Sequence, residues 1–223
     1  MRKIVFTILA ALVATSFWAQ RPLCPVKEGI VQTYVMKDAK SKVKNYSIQT
    51  VTSVTGSGDN LVVTYSSEAL DAKKKPLANM PVIPYSLKVE NGTVVVDIKS
   101  LLNGVFTGSM KDGSAEGTPL LLPANMKAGD ALPDCSVKMQ IAVFKVSADY
   151  TEGICESEED VTTEAGTFSC KKTKYNVKST TMGIKSDITV YSWYAPGVGI
   201  VKQELYDKKG KLSTIQELIE MKS

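Results

Sequence analysis

The sequence contains no histidine. Histidine is the commonest general base near neutral pH and a frequent transition-metal ligand, so its absence removes most hydrolase designs and most zinc sites together. The remaining options are carboxylate, lysine or tyrosine chemistry, and no spacing marks such a pair as catalytic. We therefore expect a protein that is not an enzyme, with no catalytic, metal-binding or cofactor-binding residues and no cofactor.

The chain also lacks a hydrophobic run long enough to cross a membrane. Its apolar run at residues 4–13 is shorter than the ~20 residues that a spanning helix needs. Two basic residues precede this run and small residues follow it, which is the pattern of a secretory signal peptide. We predict a signal peptide at residues 1–19, with the cleavage position open within 16–20, and no transmembrane segment after its removal. The protein is therefore expected to be exported.

Strong net charge is absent as well. The formal net charge is +4, and removal of Arg2 and Lys3 with the signal peptide lowers it to 4 − 2 = +2. Such a balance does not favour a nucleic-acid partner. An apolar small molecule or an envelope protein remains as a candidate partner.

Cysteine is scarce, and all four cysteines lie in the exported part: Cys24, Cys135, Cys155 and Cys170. Export favours oxidation, so two disulfides in one of three connectivities are expected. We favour Cys24 with Cys170 and Cys135 with Cys155, the latter pair facing each other across a hairpin. The competing set joins Cys24 to Cys135 and Cys155 to Cys170. Lipidation of Cys24 is disfavoured, because Pro22 and Leu23 stand where that motif requires small residues.

Short β-rich runs separated by turn residues fill the exported chain. In residues 85–90, for example, Tyr85, Leu87 and Val89 alternate with polar residues. At the C-terminus, residues 212–221 favour a strand over a capped helix, with Ile215, Ile219 and Met221 on one face. We predict an all-β fold, an antiparallel meander curved into an open barrel or two abutting β-lobes, and a single exported domain over residues 20–223.

Residues 104–134 lose this alternation and contain five glycines and three prolines. A loop of this length in a compact domain is functional or connects subdomains. We expect it to form the mouth of a cavity or to divide two lobes, as a lid or a connector. A short helix or turn is expected just before it, at residues 97–104.

Three turn segments repeat one pattern, an aspartate followed by lysines and an apolar residue, at residues 37–43, 70–77 and 206–212. Aspartate can close an Asx-turn on the following backbone, while lysines keep the turn solvated. The segment Trp193–Leu212 adds Pro196 and Gly197, which suit the centre of a type II turn. We interpret its glycines as backbone geometry rather than as a ligand-binding loop.

The acidic segment at residues 152–164 could suggest calcium, but it lacks the Asp-x-Asp-x-Asp-Gly spacing of a calcium loop. Lysines follow at residues 171–178. We predict a hairpin in which acids and lysines form cross-strand pairs.

Three segments, "CPVKEGIVQTYVMKDAKSKV", "EDVTTEAGTFSCKK" and "WYAPGVGIVKQELYDKKGKL", together with "LLLPANMKAGDALPD", resemble exported Gram-negative proteins of the domain-of-unknown-function 3108 type, also called TapB-like. The resemblance covers nearly the whole exported chain. It implies a secreted, mostly antiparallel β protein without an established biochemical activity, located in the periplasm or outer cell envelope of a Gram-negative bacterium, and it brings no catalytic residues. Cys155 and the segment "QIAVFKVSADY" depart from the usual pattern.

Two functions follow as hypotheses. The first is a non-catalytic periplasmic or envelope binding module that holds an apolar or amphiphilic molecule in the concave face of the sheet, with the apolar segment Pro119–Pro123 as one motive. A sheet interior without a cavity would contradict it. The alternative is an envelope protein–protein interaction or structural module that uses strand edges or the long loop.

Overall fold

The computed structural model describes residues 21–77, 80–97, 113–141 and 144–223. Within these ranges the regular structure consists of fourteen β-strands and no helix. The predicted signal peptide, the predicted turn after Asp97 and the first part of the long loop lie outside the described residues. The strands are β1 (Val31–Asp38), β2 (Val43–Ser57), β3 (Asn60–Asp71), β4 (Ile83–Glu90), β5 (Thr93–Val96), β6 (Ser114–Thr118), β7 (Leu120–Pro123), β8 (Ala131–Leu132), β9 (Cys135–Ile141), β10 (Phe144–Thr163), β11 (Gly166–Thr181), β12 (Ile184–Ala195), β13 (Gly199–Asp207) and β14 (Leu212–Lys222).

All of these strands belong to one antiparallel sheet with the order β6-β9-β10-β11-β12-β13-β14-β1-β2-β3-β4-β5-β7, and β8 pairs with β10 beside this path. The sheet is nearly closed into a barrel with one unsealed seam. The all-β prediction is therefore confirmed, and of its two forms the structure adopts the barrel. The predicted strand at the C-terminus is β14. In the part of the chain that the structure describes, no helix is long and apolar enough to span a membrane.

The seam lies at Pro119, between the two edge strands. β6 pairs with β9, β7 pairs with β5, and the alternation of directions around the sheet makes β6 and β7 run the same way. Residues 114–123 thus form one continuous extended segment that pairs with β9 before Pro119 and with β5 after it. Proline suits this switch because it cannot donate a ladder hydrogen bond.

This arrangement corrects the prediction for the described part of the long loop. Residues 113–134 contain β6, β7 and β8, all within the same sheet, and do not divide two lobes. The apolar run becomes a strand because Leu120 and Leu122 both point into the barrel, where each contributes to the interior.

Two hydrophobic clusters lie on opposite faces of the sheet. The interior core includes Tyr65, Val94, Leu122 and Tyr194, and it holds the apolar faces of strands from around the barrel. The second, the outer cluster, consists of Cys170, Trp193, Ala195 and Val201, each at most 6% exposed. Neighbouring residues such as Trp193 and Tyr194 enter different clusters because successive side chains of a strand point to opposite faces.

The three predicted Asp-Lys turns have the same internal hydrogen bonds, which confirms the Asx-turn interpretation. In each turn the aspartate Oδ1 accepts two backbone N–H groups, two and four residues further on. These connections join β13 to β14, β1 to β2, and β3 to the segment before β4, so the antiparallel order places all three at one rim of the barrel. The donors are Lys40 and Lys42 at 2.9 and 3.0 Å for Asp38, Lys73 and Lys75 at 2.8 and 2.9 Å for Asp71, and Lys209 and Lys211 at 2.8 and 3.0 Å for Asp207.

The acidic segment forms the predicted hairpin of β10 and β11. Lys171 Nζ lies 2.9 Å from Glu158, and Lys172 Nζ lies 3.0 Å from Glu156. These are the cross-strand ion pairs that the sequence indicated. Among the described residues, no group of three or more acidic or cysteine side chains could hold a metal ion.

Candidate ligand-binding cavity

The interior of the barrel encloses a cavity of about 420 Å³. This volume lies within the range of roughly 300–1,000 Å³ that is usual for small-molecule sites. The lining combines six tyrosines, an apolar wall, and a group of amides and hydroxyls.

Every strand except β8 contributes to the lining, and the N-terminal segment 23–25 adds to it. The six tyrosines are Tyr34, Tyr65, Tyr85, Tyr150, Tyr175 and Tyr194.

Hydrogen bonds and stacking fix several of these tyrosines. Tyr34 donates its hydroxyl to the Ile200 carbonyl at 3.1 Å, and Tyr175 donates to the Pro133 carbonyl at 3.1 Å. The rings of Tyr65 and Tyr85 are stacked with their centroids 4.9 Å apart. Tyrosine suits this position because its ring covers apolar surface while its hydroxyl keeps a partner.

The titratable groups of the lining are neutral at physiological pH. Burial raises the pKa of Tyr194 to about 12 and that of the Cys24 thiol to about 12. Burial also raises the pKa of Cys135 to about 11, and the pKa values of the other five lining tyrosines are raised for the same reason. Among the described residues that line the cavity, no side chain carries a charge.

Amides and hydroxyls form a row across four adjacent strands. Thr173 in β11 pairs with Ser192 in β12, Ser192 pairs with Gln203 in β13, and Gln203 pairs with Gln216 in β14. All four residues line the cavity. On the next two strands, β1 and β2, Gln32 and Gln49 also line the cavity and form a cross-strand pair of their own.

A β-bulge brings Gln203 into this row. Trp193 pairs with Lys202 while Tyr194 pairs with Ile200, which leaves Val201 as an extra residue in β13. Ile200 and Gln203 therefore both face the cavity although they are three positions apart, and Val201 is buried in the outer cluster.

Another bulge acts in β14, where the register against β1 shifts between Thr33 and Tyr34. Gln216 lines the cavity and Met221 packs against the interior core. The expectation that Ile215, Ile219 and Met221 share one strand face is wrong for Met221, because Ile215 points to the outer face, next to the cavity-lining Gln216, whereas Met221 packs against the interior core.

The segment before β1 packs into the interior of the barrel. Leu23 and Cys24 are each 2% exposed and line the cavity. The turn between β12 and β13 holds this segment, because Gly197 donates its backbone N–H to the Pro22 carbonyl at 2.7 Å. Gln32 donates its Nε2 to the Val198 carbonyl at 2.9 Å and joins the same turn to β1. The glycine-rich segment thus serves backbone geometry, as predicted, and it also holds the segment before β1 at Pro22.

The predicted disulfides are not formed in this structure. Cys24, Cys135, Cys155 and Cys170 are all buried, free thiols. Cys24 and Cys155 belong to the interior core, whereas Cys170 belongs to the outer cluster. The favoured pairing of Cys24 with Cys170 would therefore have to connect opposite faces of the sheet. The sequence did not show that these two cysteines face opposite sides.

Sequence reasoning missed the polar residues of the cavity. Gln32, Gln49, Gln203 and Gln216 are isolated glutamines in strands of mixed polarity, and only the register brings them together. One local signal was available: Gln32 and Tyr34 occupy alternate positions of β1, which places their side chains on the same face of the strand. The long-loop segment at residues 119–123, in contrast, was correctly associated with a cavity.

The structure resembles two solved proteins of Bacteroidetes. One is a putative exported protein with a YmcC-like fold from Bacteroides fragilis, with a TM-score of 0.75 and 21% identity over 91% of this chain and 100% of that chain. The other is a putative lipoprotein from Parabacteroides distasonis, with a TM-score of 0.74 and 22% identity over 91% of this chain and 99% of that chain. At these identities the likeness shows a shared fold.

No curated protein matches the chain. The DUF3108-like family model matches residues 27–218, which include the cavity-lining strands and the turn that seats the N-terminal segment. The chain therefore belongs to the DUF3108-like family.

Proposed function

We propose that this protein is a non-catalytic binding protein of the cell envelope that holds an apolar or amphiphilic molecule inside its barrel. The observation that carries the proposal is the cavity of about 420 Å³ with tyrosine and aliphatic side chains along its wall. Burial of apolar ligand surface against such a wall is favourable by roughly 25 cal/mol per Å². A filled interior would have left no room for a ligand.

The envelope location is supported by the sequence and by the relatives. Residues 1–19 have the pattern of a signal peptide. The two solved proteins of the same fold are named as a putative exported protein and a putative lipoprotein. Export would place the barrel where apolar molecules must pass between membranes through water.

Binding can be tested with Nile red, a neutral dye that fluoresces in apolar surroundings, on the exported protein. Leu120 lines the cavity, and its neighbour Leu121 in β7 does not. The variant Leu120→Trp should fill part of the cavity and weaken dye binding about tenfold or more, because overpacking opposes entry of a ligand. Leu121→Trp is the matched control, and it should bind the dye like the parent.

Circular dichroism and the melting temperature establish that both variants are folded. Failure of the parent to bind Nile red, or equal binding by the two tryptophan variants, would contradict a ligand site inside the barrel. Native mass spectrometry of protein purified from its own envelope provides an independent test. A retained small molecule supports the proposal, whereas a retained polypeptide favours the alternative of a protein-interaction module.

A further inference from the structure

The cavity has a polar half and an apolar half. Around the barrel, β11 to β14 and β1 and β2 carry the amides and hydroxyls described above. β4, β5, β7 and β9 lie across the barrel from them and contribute aliphatic side chains. These aliphatic residues are Leu87, Val94, Val96, Leu120, Leu122 and Val137. Tyrosines and the Cys135 thiol apart, the described lining residues of β4 to β9 include two polar ones, Thr118 and Ser136. Their hydroxyls lie 3.3 Å apart.

Hydrogen-bonding capacity remains open in the polar half. Gln32 and Gln203 use their Nε2 groups, at 2.9 Å each, on the Val198 carbonyl and on Ser192 Oγ. The carboxamides of Gln49 and Gln216 make no side-chain hydrogen bond to any other residue that the structure describes, although both line the cavity. Each of these two carboxamides offers a donor and an acceptor. Polar groups that face an apolar cavity are costly unless a partner satisfies them.

The same half offers no charge with which to neutralise an ion. A carboxylate or phosphate inside the cavity would lose its hydration without meeting a lysine or arginine, and an ammonium would meet no carboxylate, among the described lining residues. Ions pay a far larger desolvation cost than neutral polar groups. The lining therefore discriminates by charge as well as by polarity.

We propose that the cavity selects amphiphiles whose polar end is uncharged, with a hydroxyl, amide or ester group bonded to Gln49 or to Gln216 and the apolar chain against β4, β5, β7 and β9. This inference rests on the proposed function and specifies the class of ligand. A carbonyl or hydroxyl oxygen of the ligand accepts from a glutamine Nε2, and a ligand O–H or N–H donates to a glutamine Oε1.

The test uses four ligands that share one alkyl chain: decanol, decanamide, decanoate and decyltrimethylammonium. Each competes with Nile red for the exported protein at neutral pH, below its micelle-forming concentration. Decanol and decanamide should displace the dye at concentrations about tenfold or more below those of the two ions. Decanoate or decyltrimethylammonium binding as tightly as the neutral pair would overturn the inference while leaving the proposed function intact.

A second measurement assigns the selectivity to the two glutamines. In Gln49→Leu/Gln216→Leu the affinity for decanamide should fall about three- to tenfold, because one or two hydrogen bonds are lost. Nile red itself should bind with little change, which reports an intact cavity. The same exchange at the exposed Gln140 is the control and should leave all affinities unchanged. Unchanged decanamide affinity in the double variant would overturn the inference, and absence of Nile red binding in the parent would instead reject the proposed function.

Discussion

Replacement of Gly197 by valine tests how the turn between β12 and β13 organises the barrel. Gly197 has φ = +73°, and its N–H donates to the Pro22 carbonyl at 2.7 Å. The N–H of Val198 donates to the Ala195 carbonyl at 3.1 Å and closes the turn. Valine is β-branched and strongly disfavours positive φ. The variant must either keep a strained backbone or give up these hydrogen bonds.

The size of the effect follows from the local geometry. A Cβ at Gly197 would lie 3.5 Å from Arg21 Cδ, an ordinary contact with a flexible side chain, so steric overlap contributes little. The conformational cost of a left-handed L-residue is about 1–2 kcal/mol, and strained residues reach about 3 kcal/mol. A loss of about 2 kcal/mol lowers the melting temperature of a domain of this size by roughly 4–8 °C.

Gly210 provides a matched control. Its φ is +72°, a Cβ there would have no atom within 4 Å, and it lies in the Asp207 turn at the opposite end of β13. Gly210→Val should therefore lose a similar amount of stability by thermal unfolding. Only Gly197→Val should also speed amide hydrogen exchange in residues 21–26, because of the two glycines only Gly197 donates a hydrogen bond to the N-terminal segment. A melting temperature equal to that of the parent in Gly197→Val would refute this reasoning.

Two further predictions concern protons and thiols. Acidification should weaken the three Asp-Lys turns: the pKa of Asp38 is lowered to about 2 by Lys44 and by backbone N–H groups, and backbone N–H groups lower those of Asp71 and Asp207. Because these folded-state pKa values lie below the unfolded ones, the stabilisation is present above about pH 4 and is lost as the pH falls toward about 2. On acidification, the melting temperature should therefore fall more steeply in the parent than in a variant with asparagine at all three positions. Equal slopes of melting temperature against pH would contradict this prediction. The four cysteines should not react with Ellman's reagent in the folded protein, since burial shields the thiols and raises the pKa of Cys24 to about 12. All four should react after unfolding without reductant. Fewer than four reactive thiols per unfolded chain would reveal a disulfide.

Local features of the fold were predictable because they depend on a few neighbouring residues. Asp38 and Asp207 close their turns on N–H groups two and four positions away, a distance that the sequence itself displays. The hairpin of β10 and β11 follows from an acidic and a basic segment around one turn. The alternation in residues 85–90 likewise indicates a strand without reference to its partners.

The candidate site was predictable only in outline. A concave sheet and an apolar run at residues 119–123 indicated a cavity, but not which strand faces would line it. Regular alternation from Ile200 would have placed Lys202 and Glu204 inside, and the bulge at Val201 places Gln203 there instead. A single extra residue reverses the faces of a strand, and no local preference in the sequence reports it.

The sequence by itself determined the β class and the turns and predicted the export signal, and its lack of histidine excludes histidine chemistry, because each depends on residue type or on spacing within a few positions. Only the tertiary structure decided three other features. They are the near closure of the barrel at Pro119, the seating of residues 22–25 against the Gly197 turn, and the assembly of glutamines from separate strands on one side of a neutral cavity. The physical reason is that strand register and β-bulges are set by pairing between segments far apart in the chain, and that pairing fixes which side chains share the interior.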